Sequence, residues 1–598
     1  MTPLASFCRW AADNGVVSRL IPKESNGMGV GLFFKPDLPD NNSSHKLDQG
    51  ELLYVPQTLL LSRSRILAFQ CPHLQRSLSI IDLSNVSERL AIIFFILSQR
   101  LHLEHRAKQR HSTINTPDHT STNKNKNDNS DPTGALFAEY IATLPDVSTP
   151  VTLDPELVRG YLAGTLLLDS VCAKRSKLEA EFEYLSGNLG AFEDWPVRPT
   201  LKDFIWADAT FWSRVLSFKT QWAENGASGD SDTLNDMHMV PYLDFANHAA
   251  NPNIRWEVDS DGLRVWGQES LLQDFQNDAV EREVFLSYGN KPNTELLFLY
   301  GFILQDNPTQ FLTLAMPMDE DDPYYMPKAH SLTRWGIPPR ITIYLKKTDG
   351  PDDLEEFCPG MWITQQSRYL LWLYALNEDD GISALIEEPE AKICVPHESA
   401  KEDEEDDTVE EVDLVDEDVV GRLVLTINDT KVDTQEVLES IVPKLDIFPV
   451  IKLRALVLVA NRVEYYVTRI METGDRVQKA EGVEIVRAVR YDMDGHAVNG
   501  STSPGLSDAH RASRLGGDIG DCLLPTILEP DHTQPITGRQ LEAETQVSNL
   551  VTMMKSYRAE EMSLLVHIGN VLGEAQTHCL EESEFIQSYL AHMQRQDS

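Results

Sequence analysis

The chain is poor in positive charge. It sets 52 lysines and arginines against 93 aspartates and glutamates, a formal net charge of −41 over 598 residues. A chain of that sign lacks the basic surface that holds a phosphate backbone, so nucleic acid is excluded as a partner. Its overall field attracts a cationic partner instead. Part of the excess is local: residues 401–418, KEDEEDDTVEEVDLVDED, carry −11, and the rest of the chain carries −30. Cysteine is also scarce. The seven, Cys8, Cys71, Cys172, Cys358, Cys394, Cys522 and Cys579, are odd in number, and no two stand at zinc-ligand spacing. Reduced thiols in an intracellular protein and no cysteine metal site are therefore expected. Long apolar runs are missing too. LAIIFFIL (90–97) is far shorter than the roughly 20 residues of a spanning helix. The opening MTPLASFCRWAADNGVV has neither a basic segment nor a long apolar one, so no secretory signal is expected. No internal repeat is present.

What is present suits a large globular protein. With 41% hydrophobic and 24% charged residues, the length allows two to four domains on a prior of about 150 residues each. VGLFFK (30–35) and ELLYVP (51–56) read as strands around a polar loop. From about 85 to 200 the pattern is helical, broken at 105–134 by a stretch nearly free of large apolar residues that reads as a disordered loop. Residues 203–222 have helical periodicity: Phe204, Phe211, Val215, Phe218 and Trp222 share a face, with Arg214 directed toward it. Then NIRWEV, the turn DSDG (259–262) and LRVW predict a hairpin, and EVFLSYG (283–289) a further strand. NTELLFLYGF (293–302) reads as a short helix, capped by Asn293 or Thr294 and stopped near Gly301. Beyond 310 the chain is mostly helical, with the acidic run and residues 494–520 as inserts.

Four pieces bear on chemistry, and each alone has an ordinary structural explanation. NGMGVG (26–31) alternates glycines before a strand, which lets backbone amides approach a ligand; a flexible turn looks the same. It is not a dinucleotide fingerprint, since no GxGxxG stands there and no helix follows. Arg214 on an apolar face could clamp a carboxylate, or simply extend its head to water. DFANHAANPN (244–253) holds His and Asp but no second His or Cys at ligand spacing, so a turn rich in Asn competes with a metal site. SYG places Tyr288 at a strand end beside Gly289.

Taken together, these pieces resemble the SET-domain protein methyltransferases. The NHxxxPN loop is matched by Asn247, His248, Pro252 and Asn253, the strand-ending SYG by Ser287, Tyr288 and Gly289, and the GxG by Gly27, Met28 and Gly29. VPYLDFANH and PNTELLFLYGF are similar to the branch that contains the Rubisco large-subunit methyltransferase. That branch often has an acidic residue where Asn26 stands, and it has no cysteine-rich zinc segment after its core.

The resemblance implies an α+β fold: a SET β core with a pseudoknot at 1–305, interrupted by a helical insert at about 60–200, then an all-helical substrate-binding domain at 306–598 with an acidic insert at 399–420. It implies S-adenosyl-L-methionine as cofactor and no metal. Asn26, Gly27, Met28, Arg214, Asn247, His248 and Tyr288 would bind the cofactor: Asn26–Met28 by backbone groups, Arg214 on the methionine carboxylate, Asn247 and His248 at the adenine and amino ends. Tyr288 would be the central catalytic hydroxyl, and Tyr300 would line the lysine channel. The implied activity is protein-lysine N-methylation of a non-histone protein, and the acidic balance favours a basic target such as a ribosomal protein or elongation factor. Histidine N-methylation and a catalytically silent docking module are the alternatives. A monomer is expected, in the cytoplasm or also the nucleus, with no nucleic acid or membrane partner.

Overall fold

A computed structural model describes residues 2–25, 28–34, 47–69, 71–81, 86–114, 137–218, 236–269, 271–272, 281–346, 353–387, 422–474 and 538–596. The N-terminal part is α+β. Its strands are β1 (Val17–Ser18), β2 (Leu20–Ser25), β3 (Gly29–Phe34), β4 (Glu51–Pro56), β5 (Val215–Phe218), β6 (Asp236–Met239), β7 (Asn247–His248), β8 (Ile254–Val258), β9 (Gly262–Gly267) and β10 (Arg282–Leu286). One sheet runs β1-β4-β9-β8 and another β2-β3-β10-β7, while β5 pairs with β6. The expected hairpin is β8–β9, closing at Val258 opposite Leu263. Asp259 sets its turn: Oδ1 accepts from the amides of Asp261 and Gly262 at 2.8 and 3.0 Å.

This hairpin lets β7 lie parallel to β10, because a parallel pair needs a long crossover between its strands. Asn247 is aligned with Phe285 and His248 with Leu286. On its other edge β10 is antiparallel to β3, with Glu283 opposite Phe33. Three chain segments far apart in sequence therefore meet on one sheet.

Helices fill the span between β4 and β5. The helix Leu201–Arg214 starts in a capping box of Thr200 and Asp203 and buries Phe204, Ala207 and Phe211. The periodicity predicted helix through 222, but the helix ends at Arg214. Val215 turns extended (φ −69°, ψ 136°), and β5 pairs with β6 from Val215–Met239 to Phe218–Asp236. Phe218 stacks on His238 with ring centroids 4.1 Å apart. A β-branched residue facing a distant partner outweighs the local period. Trp222 lies outside the described residues.

The break expected at 105–134 is shorter at its start. Residues 105–114 continue the helix Glu88–Ile114, since Lys, Gln and Arg propagate a helix already nucleated by the apolar turns before them. Residues 115–134, like those at 399–420 and 494–520, lie outside the described residues.

The C-terminal part is mainly helical, yet an all-helical domain is not what forms. Strands β11 (Phe311–Ala315), β12 (Arg340–Tyr344), β13 (Leu354–Cys358) and β14 (Met361–Thr364) build an antiparallel sheet, and β15 (Ile382–Glu387), β16 (Arg422–Ile427) and β17 (Thr430–Lys431) another. RITIY alternates over its first four residues, RLVLTI is buried from Val424 to Ile427, and both are rich in β-branched residues, which suits strand over helix.

Among the described residues two large hydrophobic cores form beside a small cluster of Val17, Leu47 and Tyr54, and one helix, Gly538–Glu582, enters both large ones. Val547, Leu550, Val551, Met554 and Tyr557 join the N-terminal core; Leu565, Ile568, Leu572 and Ala575 join the C-terminal one. The spacing of three, four and seven is a single helical stripe. Each fully buried side chain of this kind contributes about 1.5–3 kcal/mol.

Between the two sets of residues sits Glu561, 1% exposed. It accepts from the Leu166 amide at 2.8 Å and from the Tyr557 hydroxyl. Burial raises its pKa to about 7 from an ordinary 4.5. The folded chain thus holds this proton more tightly than the unfolded chain. Its contribution to stability is full at low pH and is lost as pH rises from 4.5 to about 7. Glu561→Gln keeps an acceptor for Leu166 and carries no charge. The thermal midpoint of the variant relative to wild type should therefore be higher at pH 8 than at pH 5. A pH-independent difference would show that this carboxyl does not titrate in that window.

Candidate active site

The end of β10 is the centre of the site. After Leu286 the chain leaves the sheet and places Tyr288 beside His248: the Tyr288 amide donates to His248 Nδ1 at 3.1 Å, and the two rings lie 5.0 Å apart. The same Nδ1 lies 3.3 Å from the Leu286 carbonyl, so the tautomer sets which of the two contacts it makes, and burial lowers the His248 pKa against the pull of that carbonyl. The Tyr288 hydroxyl donates to the Ala246 carbonyl at 2.9 Å. Burial holds its pKa well above the ordinary phenol value, against the opposing pull of the Arg214 charge, so it remains a protonated donor.

Tyr300 comes from the last turn of the helix Asn293–Tyr300, and its ring is 4.7 Å from that of Tyr288. Burial and the nearby Glu295 push its pKa up to about 12. Gly301 ends this helix in the left-handed region (φ 77°), and a Cβ there would stand 1.9 Å from the Ser148 carbonyl oxygen. Only glycine turns the chain so sharply here. The turn brings Phe302 to 6.1 Å from Tyr300 and 6.0 Å from His248, which completes an aromatic group of four rings.

Arg214, at the C-terminal end of its helix, is drawn into the same loop. Its NH1 donates to the Asp244 carbonyl at 2.7 Å and lies 3.3 Å from the Asp244 carboxylate, and the guanidinium is 5.8 Å from the Phe245 ring. Tyr140 donates to the same carboxylate at 2.5 Å. Burial raises the Asp244 pKa, and Arg214 and Tyr140 oppose that rise. Two buried atoms here, Arg214 Nε and Asp244 Oδ1, have no hydrogen-bond partner. A donor and an acceptor left open in a dry site are costly unless a ligand engages them.

The loop itself is held under strain. Tyr242 has φ 81°, a region that bulky residues rarely enter, and its hydroxyl donates to the Leu20 carbonyl of β2 at 2.7 Å. Asn253 closes the other end: Oδ1 accepts from the Phe285 amide at 2.7 Å, and Nδ2 donates to the Glu283 carbonyl at 3.3 Å. Asn253 thus extends the edge of β10 as a short strand would.

Arg214, Asn247, His248, Tyr288 and Tyr300 all fall within this one neighbourhood. Met28 lies at the mouth of β3, half exposed, next to Gly29 with φ 76°. Asn26 and Gly27 lie outside the described residues. Sequence reasoning passed over Glu283. Its Oε1 accepts from Asn247 Nδ2 at 2.8 Å and its Oε2 from Ser25 Oγ at 2.7 Å. A lone acid inside the apolar strand REVFL was the available signal, but its partners were not visible. Phe302 and Tyr140 were also passed over.

No family model matches the chain. Among curated proteins it is similar to SET domain-containing protein 8 of Schizosaccharomyces pombe, 28% identical over 32% of this chain and 41% of that one. It is similar to the Rubisco large-subunit N-methyltransferase of Pisum sativum, 23% identical over 54% of this chain and 55% of the relative. It is also similar to the actin-histidine N-methyltransferase of Xenopus tropicalis, 23% identical over 41% of this chain and 39% of the relative. The chain thus spans about half or less of the length of the curated relatives it matches. A crystal structure of the SET domain of LSMT bound to lysine and AdoHcy aligns with a TM-score of 0.49 at 16% identity, over 98% of this chain and 94% of that one. Over part of its length the chain is thus similar to SET-domain proteins, among them a protein N-methyltransferase, as its motifs implied.

The crossing at Gly31 can be tested directly. A Cβ there would lie 2.2 Å from Glu283 Oε1 and 2.9 Å from Asn247 Nδ2, so Gly31→Ala must push the carboxylate off its donors. Denaturant unfolding should show a loss of about 2 kcal/mol, the scale of hydrogen bonds to a charged group. An unchanged midpoint would mean that the carboxylate is not fixed there.

Proposed function

We propose that this chain is an S-adenosyl-L-methionine-dependent protein N-methyltransferase acting on lysine in a non-histone protein. The observation that carries the reading is the parallel pairing of β7 with β10. It brings Asn247 and His248 alongside the strand that delivers Tyr288, 4.7 Å from the ring of Tyr300. The residues present suit the cofactor. Arg214 offers a positive charge and an open buried Nε toward a carboxylate, Asn247 a polar amide, and Met28–Gly29 a backbone with no bulky obstruction. When bound, S-adenosyl-L-methionine supplies an electrophilic methyl group on a sulfonium.

The chain's own residues would do the rest. A lysine ammonium has a pKa of about 10.4, so its neutral form costs roughly 4.6 kcal/mol at pH 7. The rings of Tyr288, Tyr300 and Phe302 form an apolar wall that disfavours the charged amine. The Tyr288 hydroxyl and the Ala246 carbonyl place fixed dipoles beside that wall, which orient the reacting groups without reorganising. Tyr300 would limit how many methyl groups the channel holds. Residues 306–598 would bind the protein substrate, and the acidic balance suits a basic one such as a ribosomal protein or elongation factor. We place the protein in the cytoplasm, with access to the nucleus open.

Histidine is the second acceptor to weigh, because a relative is named an actin-histidine N-methyltransferase. An imidazole is partly neutral at pH 7 and needs less help with deprotonation.

Calorimetry should show S-adenosyl-L-methionine binding by the wild type, weakened about tenfold or more in Asn247→Ala. No binding by folded wild type would overturn the reading. Tyr288→Phe should still bind the cofactor but transfer labelled methyl about a hundredfold more slowly. Hydrolysis of the labelled product should release methyl-lysine; methyl-histidine would move the assignment to the second acceptor. Tyr300→Phe should shift the product toward more methyl groups per lysine, read by mass spectrometry.

A further inference from the structure

Glu283 stands behind Asn247, outside the group of four rings, and both of its oxygens are committed. It stands on β10 opposite Phe33 of β3, and its carboxylate reaches across the sheet in two directions. Oε2 accepts from Ser25 Oγ, the last residue of β2, at 2.7 Å. Oε1 accepts from Asn247 Nδ2, the first residue of β7, at 2.8 Å. Between them Gly31 leaves the space that the carboxylate fills. The Met28 amide donates to the Ser25 carbonyl at 3.2 Å.

A carboxylate can only accept, and this has a chemical consequence. Asn247 must direct its NH2 inward to Glu283. Its carbonyl oxygen is then the atom presented away from the carboxylate, and it can take only an N–H or O–H donor from a ligand. Among the described residues, Glu283 is the group bonded to this side of the amide, and it alone distinguishes the two orientations.

We infer that Glu283 is a positioning residue for the cofactor. It selects the amide orientation of Asn247, so that an acceptor faces an N–H-bearing part of the ligand, and its second oxygen ties the end of β2 to the same carboxylate. The inference rests on the reading of Asn247 as a cofactor contact.

The deciding variant is Glu283→Met, which fills much the same space but cannot accept, so nothing then holds the Asn247 NH2 inward. Glutamine would not decide the matter, because its oxygen can still accept from Asn247 while its NH2 donates to the Ser25 hydroxyl. The methionine variant should fold and bind S-adenosyl-L-methionine about tenfold more weakly, the factor that accompanies one lost hydrogen bond to a charged or well-oriented group. In the Asn247→Ala background the same change should add almost nothing, because Glu283 acts through that side chain. A role in filling space predicts the opposite on both counts: Glu283→Met would bind as wild type, or the two effects would multiply. Either result overturns the inference while leaving the proposed function standing. Should Glu283→Met not fold, Gly31→Ala displaces the same oxygen sterically, and wild-type affinity in that variant overturns the inference equally. If folded wild type does not bind the cofactor at all, the proposed function fails and this inference fails with it.

Discussion

The structure turns on the place where the helix Gly538–Glu582 passes from one hydrophobic core to the other. Its apolar stripe is anchored there by polar contacts with high directional demand. Glu560 accepts from Asn293 Nδ2 at 2.8 Å and from Gln310 Nε2 at 2.9 Å, while the Tyr557 hydroxyl lies 3.1 Å from that of Thr294. Asn293 and Thr294 open the short helix whose last residue is Tyr300. The far C-terminal end of the chain therefore sets the height of a ring that faces Tyr288. Buried polar groups of this sort gain little net stability individually, but leaving one unpaired is expensive, so the register of the long helix is strongly constrained.

A second constraint acts inside the sheet. Three strands from around residues 25, 247 and 283 converge, and one carboxylate joins two of them across a glycine. Apolar packing alone would tolerate a small slide between neighbouring strands. Two short hydrogen bonds to a single acceptor do not, because their geometry falls off steeply with angle. The strained backbone at Tyr242 and the strand-like bonding of Asn253 act on the same loop from its two ends. A loop fixed at both ends and in its middle can present a small polar edge to a ligand at little further ordering cost.

Charge and chemistry are kept apart in this protein. The large acidic excess is a property of the whole chain, whereas the site holds one arginine against one buried aspartate, the Asn247 amide on the Glu283 carboxylate, and a group of aromatic rings. The global field thus governs approach of a partner, and the local, poorly solvated arrangement governs protonation.

Much of this was legible in the linear chain. The hairpin at 254–267, the strands expected at 30–35 and 51–56 and the short helix stopping near Gly301 follow from alternation and turn residues, which are local signals, whereas the meeting of Asn247, His248 and Tyr288 was implied only by the resemblance of their motifs to a known family. Local signals failed where a distant partner decided. The helix stopped at Arg214 because Val215–Phe218 had β6 to pair with, and strands β11–β17 emerged in a stretch read as helical because each found a neighbour. Glu283 belongs to the same class. Its residue type was plain, but a carboxylate has meaning only through the donors around it, and Ser25 and Asn247 lie 258 and 36 positions away. Sequence alone determined which chemical groups the site contains; the tertiary structure decided which of them meet, since hydrogen bonds and ring contacts act over a few ångströms of space and not along the chain.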